Sequence, residues 1–127
     1  MAKPSATFYF RIRLYRDHEI VLGPGRIALL EAIDETGSIS AAARHLGMSY
    51  RRAWSLVNST NQLLKKPVVR SAEGGAQGGG SSLTPIGKEA IKLYRQAEAY
   101  AAYAAQEPLK QLQALVRTES SQETTSN

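Results

Sequence analysis

Two adjacent arginines stand near the start of a helix-forming segment, Met48-Ser49-Tyr50-Arg51-Arg52-Ala53-Trp54. A guanidinium is a planar fork of N–H donors, able to pair with two acceptors on one guanine edge or to grip a phosphate. Tyr50 and Ser55 add hydroxyls within a turn, and hydroxyls more often hold phosphate oxygens. The charge around them has one sign. Between Glu35 and Glu73 lie Arg44, Arg51, Arg52, Lys65, Lys66 and Arg70, six cations in 37 residues with no carboxylate. Such a stretch suits a polyphosphate better than a small metabolite, and the chemistry it points to is recognition of duplex DNA. Arg51 and Arg52 also fall in a first helical turn, where the helix dipole disfavours cations by a few tenths of a kcal/mol, roughly. An arriving phosphate or base edge would offset that cost.

Other chemistries lack their residues. There is no cysteine, so disulfides, thiolate catalysis and cysteine-held zinc are excluded. His18 and His45 have no His/Asp/Glu spacing that makes a metal site, and Ser49 has no evident base. Asp34 and Glu35 are adjacent at a helix end and point apart. A phosphate-cradling loop ending at Gly87-Lys88 would need glycine at 82 and Ser or Thr at 89, where the chain has Ser82 and Glu89. The expectation is a protein that is not an enzyme and uses no metal or cofactor. With 127 residues, 43% hydrophobic and a net charge of +5, it can bury one core and carry a basic face. No run is long enough to span a membrane and no leader-like apolar segment follows the start, so no membrane partner and a cytoplasmic location are expected.

The elements that must position these groups are legible as periodicities. Phe8, Phe10, Ile12 and Leu14 alternate with Tyr9, Arg11, Arg13 and Tyr15, which predicts a strand over 8–15; Arg16-Asp17-His18-Glu19 turns it into a short second strand at Ile20-Val21-Leu22. A first helix is expected from Gly25 to Glu35, with Ile27, Leu29, Leu30 and Ile33 inward and Gly37 past its end. Ser38 caps a second helix to about Leu46, rich in small residues (Ala41, Ala42, Ala43). Gly47 ends it, and Ser49 caps a third helix from Tyr50 to about Leu64. On that helix Ala53, Trp54, Val57, Asn61 and Leu64 are expected inward. Arg51, Arg52, Ser55, Asn58, Ser59 and Gln62 are expected outward.

Residues 67–84 read as two short strands around a glycine-rich tip, a wing, with Gln77 in the tip and Lys65, Lys66 and Arg70 near its base. Thr84-Pro85 starts a long helix to about 106. Pro108 interrupts, and Leu109 to Val116 form a further short helix. Residues 118–127 are polar and expected to be disordered. The Tyr/Ala stripe along the long helix, with Leu93, Tyr94, Ala97, Tyr100 and Ala101, offers a second face for self-association.

The whole predicts an α+β winged helix-turn-helix domain over 1–117 with an N-terminal β-hairpin and a long C-terminal dimerisation helix. DNA contacts are expected from Ser38, Ser49, Tyr50, Arg51, Arg52, Ser55, Lys65, Lys66, Arg70 and Gln77.

Gly25-Arg26-Ile27-Ala28-Leu29-Leu30-Glu31-Ala32-Ile33, Thr36-Gly37-Ser38-Ile39-Ser40-Ala41-Ala42-Ala43, Met48 to Trp54, Leu83-Thr84-Pro85-Ile86-Gly87 and Leu93-Tyr94-Arg95 together resemble the N-terminal winged-helix domain of ModE-type molybdate-responsive transcription regulators. More distantly, the helix-turn-helix is similar to that of LysR-type regulators. The ModE resemblance covers about residues 8–104. It implies a sequence-specific regulator, dimeric through its N-terminal strands (Phe10, Ile12) and C-terminal helix, on a palindromic double-stranded operator. ModE proteins continue into a pair of oxyanion-binding domains. The present chain ends at Asn127, so the expectation is a single-domain relative with no residue assigned to molybdate or any other effector. The rival readings are a protein–protein adaptor docking through Leu109 to Val116, and a nonspecific architectural DNA-binding protein.

Overall fold

A computed structural model describes residues 6–71 and 80–117. Gln77 and the tail 118–127 lie outside the described residues. The chain divides into two compact units, one of residues 11–96 and one joining 6–10 to 97–117.

The larger unit is a winged helix-turn-helix. It opens with a hairpin of β1 (Leu14–Arg16) and β2 (Glu19–Leu22). Leu14 pairs with Leu22, Tyr15 with Ile20 and Arg16 with Glu19, with an irregularity between Leu14 and Tyr15. Asp17 holds the turn at φ 56°, a left-handed conformation that Asp tolerates better than most residues. The strand expected over 8–15 is therefore only its last part. The four residues of β2 give a partner to Leu14–Arg16 alone, and period-two alternation cannot supply a missing partner.

Three helices follow: α1 (Pro24–Thr36), α2 (Ile39–Leu46) and α3 (Tyr50–Leu63). The inward stripe of α1 is the centre of the core: Ile27, Leu29, Leu30 and Ile33 are at most 2% exposed. Ala42 and Ala43 of α2 are buried as well, and their lack of bulk lets α2 pack closely on α1. The corners are made by Gly37 (φ 82°) and Gly47 (φ 70°), both in the left-handed region that a Cβ disfavours. The Gly37 N–H returns to the Ile33 carbonyl, and Gly47 and Met48 return theirs to the end of α2.

The wing is β3 (Val69–Ser71) antiparallel to β4 (Ser81–Leu83), in register Val69 to Leu83, Arg70 to Ser82 and Ser71 to Ser81. Three polar ties fix its base. Asn61 of α3 accepts from the N–H groups of Val68 and Val69 (2.8 and 3.3 Å) and donates to the Val69 carbonyl (3.1 Å). Ser81 N–H donates to the Gly37 carbonyl (2.8 Å) at the α1–α2 corner. Thr84 donates its hydroxyl to Pro67 (2.7 Å) and accepts from Gly87 N–H (3.0 Å), so it caps the next helix while closing the wing.

That helix, α4 (Pro85–Ala104), begins in this unit. Its Gly87 faces Val68, and a Cβ there would overlap the Val68 carbonyl oxygen. Tyr94 is buried at 6% and donates its hydroxyl to the Ile12 carbonyl (2.6 Å). Arg95 meets Glu31 of α1 through two hydrogen bonds (2.9 and 2.7 Å).

In the smaller unit α4 ends at Ala104, and α5 (Gln106–Ala114) follows after Ala105. Pro108 is not the interruption that the sequence suggested. It occupies the first turn of α5, where a proline forfeits no intrahelical hydrogen bond. Gln113 of α5 donates to the Ala6 carbonyl (2.7 Å). No residue of α5 is buried, and Leu112, Leu115, Tyr100 and Tyr103 are half to four-fifths exposed. No helix among the described residues is long and apolar enough to cross a membrane.

Candidate nucleic-acid interface

The first two turns of α3 form the candidate interface, and the sequence fixes them by a short list of local devices. Ser49 holds extended backbone and its Oγ accepts from Arg52 N–H at 3.1 Å; Ser38 does the same for Ala41 N–H at 2.9 Å, starting α2. A hydroxyl that accepts in this way still has its own proton to donate, so capping leaves both serines able to bond a phosphate oxygen. Tyr50, Arg51, Arg52 and Ser55 are all exposed. Residues on a helix advance by about 100° each, so Tyr50 and Trp54 lie about 40° apart, Arg51 and Ser55 beside them, and Arg52 round on the far flank.

Trp54 departs from expectation. Ala53 and Val57 are buried as foreseen, but Trp54 is 49% exposed. Ala53, Val57 and Thr60 (2% exposed) take the buried positions of α3, so the indole is left at the rim beside Tyr50.

A residue without an expected role holds α3 from behind. Arg26, in the first turn of α1, donates from one nitrogen, Nη1, to the Leu56 carbonyl (3.1 Å), Ser59 Oγ (2.7 Å) and Thr60 Oγ1 (2.8 Å). Burial, and then the charge of Arg52, hold this guanidinium below the usual arginine range, while Glu19 acts in the opposite direction. The sequence signal was faint: a lone arginine at the head of an apolar helix, and a threonine at an inward position. Asn61 was placed inward by periodicity, but its role as the clamp on β3 was not foreseen.

The remaining cations extend the basic surface. Lys65 and Lys66 follow α3 and Arg70 lies in β3; all three are exposed. A cavity of about 350 Å³ is lined by Lys66, Pro67, Arg70, Thr84, Pro85 and Ile86. Arg51, Arg52, Lys65, Lys66 and Arg70 have no carboxylate partner among the described residues.

The residues expected to dimerise are dispersed. In the larger unit Leu93 is 52% exposed, Ile12 is half-buried, and Tyr94 is taken up by the core, leaving it no surface for a second chain. In the smaller unit Phe10 and Ala101 are half-buried, while Ala97 and Tyr100 are exposed. Among the described residues no group of His, Asp and Glu side chains could hold a metal ion.

Residues 25–88, from the head of α1 to the first turn of α4, match the bacterial regulatory helix-turn-helix proteins of the lysR family. The chain belongs to that family. Individual relatives share this similarity. The molybdenum-pterin-binding protein MopB of Rhodobacter capsulatus is 54% identical over 78 residues, which is 61% of this chain and 29% of MopB. The molybdenum transport protein ModE of Azotobacter vinelandii is 41% identical over 91 residues (72% and 34%). The DNA-binding transcriptional dual regulator ModE of Escherichia coli K12 is 41% identical over 83 residues (65% and 32%). The lysR-family chain thus spans about a third of the length of these relatives, and the similarity to ModE-type regulators read from its motifs is real. The helix-turn-helix makes it a DNA-binding module of the regulatory class.

Proposed function

We propose that this chain is a transcription regulator that binds a palindromic operator as a homodimer, α3 entering the major groove. The observation that carries this reading is the capped, back-braced first two turns of α3, which present Tyr50, Arg51 and Ser55 to solvent beside unpaired cations. A helix fits the major groove, and its N-terminal turns reach base edges. Arg51 reads a guanine edge, and Tyr50 and Ser55 hold phosphate or sugar. Ser38 and Ser49 donate to the backbone. Lys65 and Lys66 after α3 and Arg70 of the wing add phosphate contacts outside the groove.

Self-association is proposed for the exposed side of α4, through Leu93, Ala97, Tyr100 and Ala101. Exposed leucine and tyrosine among small residues supply apolar area and close approach. A two-fold dimer would set two α3 helices about 34 Å apart, one turn of DNA.

The test is selection from a pool of random duplexes at physiological salt, over several rounds, followed by sequencing. Enrichment of an inverted repeat with half-sites about ten base pairs apart supports the proposal. Recovery without enrichment would overturn sequence specificity, and no recovery would overturn DNA binding in favour of an adaptor.

A further inference from the structure

Tyr50 and Trp54 stand about 40° apart round α3, one turn from each other, at 55% and 49% exposure, so the helix carries two large rings in solvent. A half-exposed indole forgoes part of the stabilisation that burial brings, and regains it where a ligand covers the ring. The pair has a definite place on the helix. Asn61 follows Trp54 by two turns, about 20° from it round the helix, and holds the backbone of Val68 and Val69. The rings therefore lie on the flank of α3 that carries the wing base. On their other side runs the outward row of Arg51 and Ser55, both exposed. No carboxylate stands between Glu35 and Glu73. Whatever covers the indole must accept cations beside it and offer the ring something apolar. Duplex DNA meets both conditions. In the major groove its bases present a single kind of apolar group, the C5-methyl of thymine.

We infer that Trp54 is a specificity residue for thymine, its indole lying against the C5-methyl of one thymine in each operator half-site. This rests on the reading of α3 as the helix in the major groove. Trp54 is in the second turn of α3, within the part of such a helix that reaches base edges. Base reading is then shared by two chemistries three residues apart. Arg51 selects guanine by hydrogen bonds, while Trp54 selects thymine over cytosine by contact with a methyl that cytosine lacks. Tyr50 flanks the indole, and its hydroxyl keeps its contact with the DNA backbone.

The experiment is a uracil scan. Each thymine of a duplex recovered by selection is replaced in turn by uracil, which keeps every hydrogen-bonding group of the base and removes the methyl alone. Wild-type protein, Trp54→Ala, Trp54→Phe and Arg51→Ala are titrated on every duplex, with far-ultraviolet circular dichroism to confirm that each variant is folded. At one thymine the substitution should weaken wild-type binding about fourfold, the worth of one methyl group leaving apolar contact. In Trp54→Ala that penalty should vanish, so that the thymine and uracil duplexes bind alike. Trp54→Phe, which keeps a flat apolar ring, should retain a penalty at the same position, and Arg51→Ala should retain it too. A penalty that persists undiminished in Trp54→Ala assigns the methyl to another side chain and overturns the inference. Wild-type binding that is indifferent to uracil at every position overturns it as well, and leaves DNA binding intact. If Trp54→Ala then weakens all duplexes equally, the indole packs on the sugar-phosphate backbone instead. Failure of wild-type protein to bind any duplex overturns both this inference and the function on which it rests.

Discussion

At the scale of single residues, the proposed interface assigns different roles to side chains that look alike in the sequence. Arg51 is exposed and has no hydrogen bond or ion pair among the described residues, which suits the base-reading role proposed for it. Arg51→Ala should lower operator binding by about 1–3 kcal/mol while sparing random DNA, measured by competition titration. Equal losses on both would remove its reading role. Lys65→Ala should instead weaken both alike and make the dependence of log affinity on log salt shallower by about one. Trp54 is the only tryptophan in the chain, and it stands half-exposed one turn from Tyr50. Intrinsic indole fluorescence therefore reports one position on the proposed interface. Its emission should be that of a solvated indole in the free protein and should shift or quench on adding operator. An unchanged spectrum at saturation would place Trp54 away from the DNA.

At the scale of elements, the fold rests on caps, corners and close approaches. Ser49 supplies the cap at the start of α3, so Ser49→Ala should cost about 1 kcal/mol of stability in a denaturant titration. Gly87→Ala should cost more, about 1–3 kcal/mol, because the added methyl meets backbone rather than a flexible side chain. A loss below that of the cap variant would show that α4 can slide away from Val68. These elements were readable because each carries a local signature: Gly37 and Gly47 at corners, Ser38 and Ser49 before periodic runs, Thr84-Pro85 at a helix start. What local pattern left unread was decided by distant partners. The length of β1 was set by the four residues of β2. Trp54 was left at the surface because Ala53, Val57 and Thr60 filled the core side of α3. Tyr94 looked available for a second chain, but its hydroxyl found the Ile12 carbonyl 82 positions away. Arg26 and Asn61 showed only as polar residues in apolar company, with nothing in their spacing to name their partners.

At the scale of the molecule, the claim that most needs a measurement is assembly. Sedimentation equilibrium should give twice the chain mass, and Tyr100→Glu, at a position 70% exposed, should give the single-chain mass with an unchanged far-ultraviolet circular dichroism spectrum. A wild-type monomer at micromolar concentration would refute the proposed use of α4. The ties at the wing base carry one more consequence. Asn61 binds β3 to α3, and Gly37 binds β4 to the α1–α2 corner. Helix and wing base are thereby parts of one rigid caliper, with jaws whose gap is set by the protein. On the proposed reading of α3 and the wing base as DNA contacts, a duplex whose groove width beside the half-site departs from that gap must bend to meet both jaws. Sequence changes at base pairs that touch no side chain should then alter affinity through the stiffness of the DNA itself.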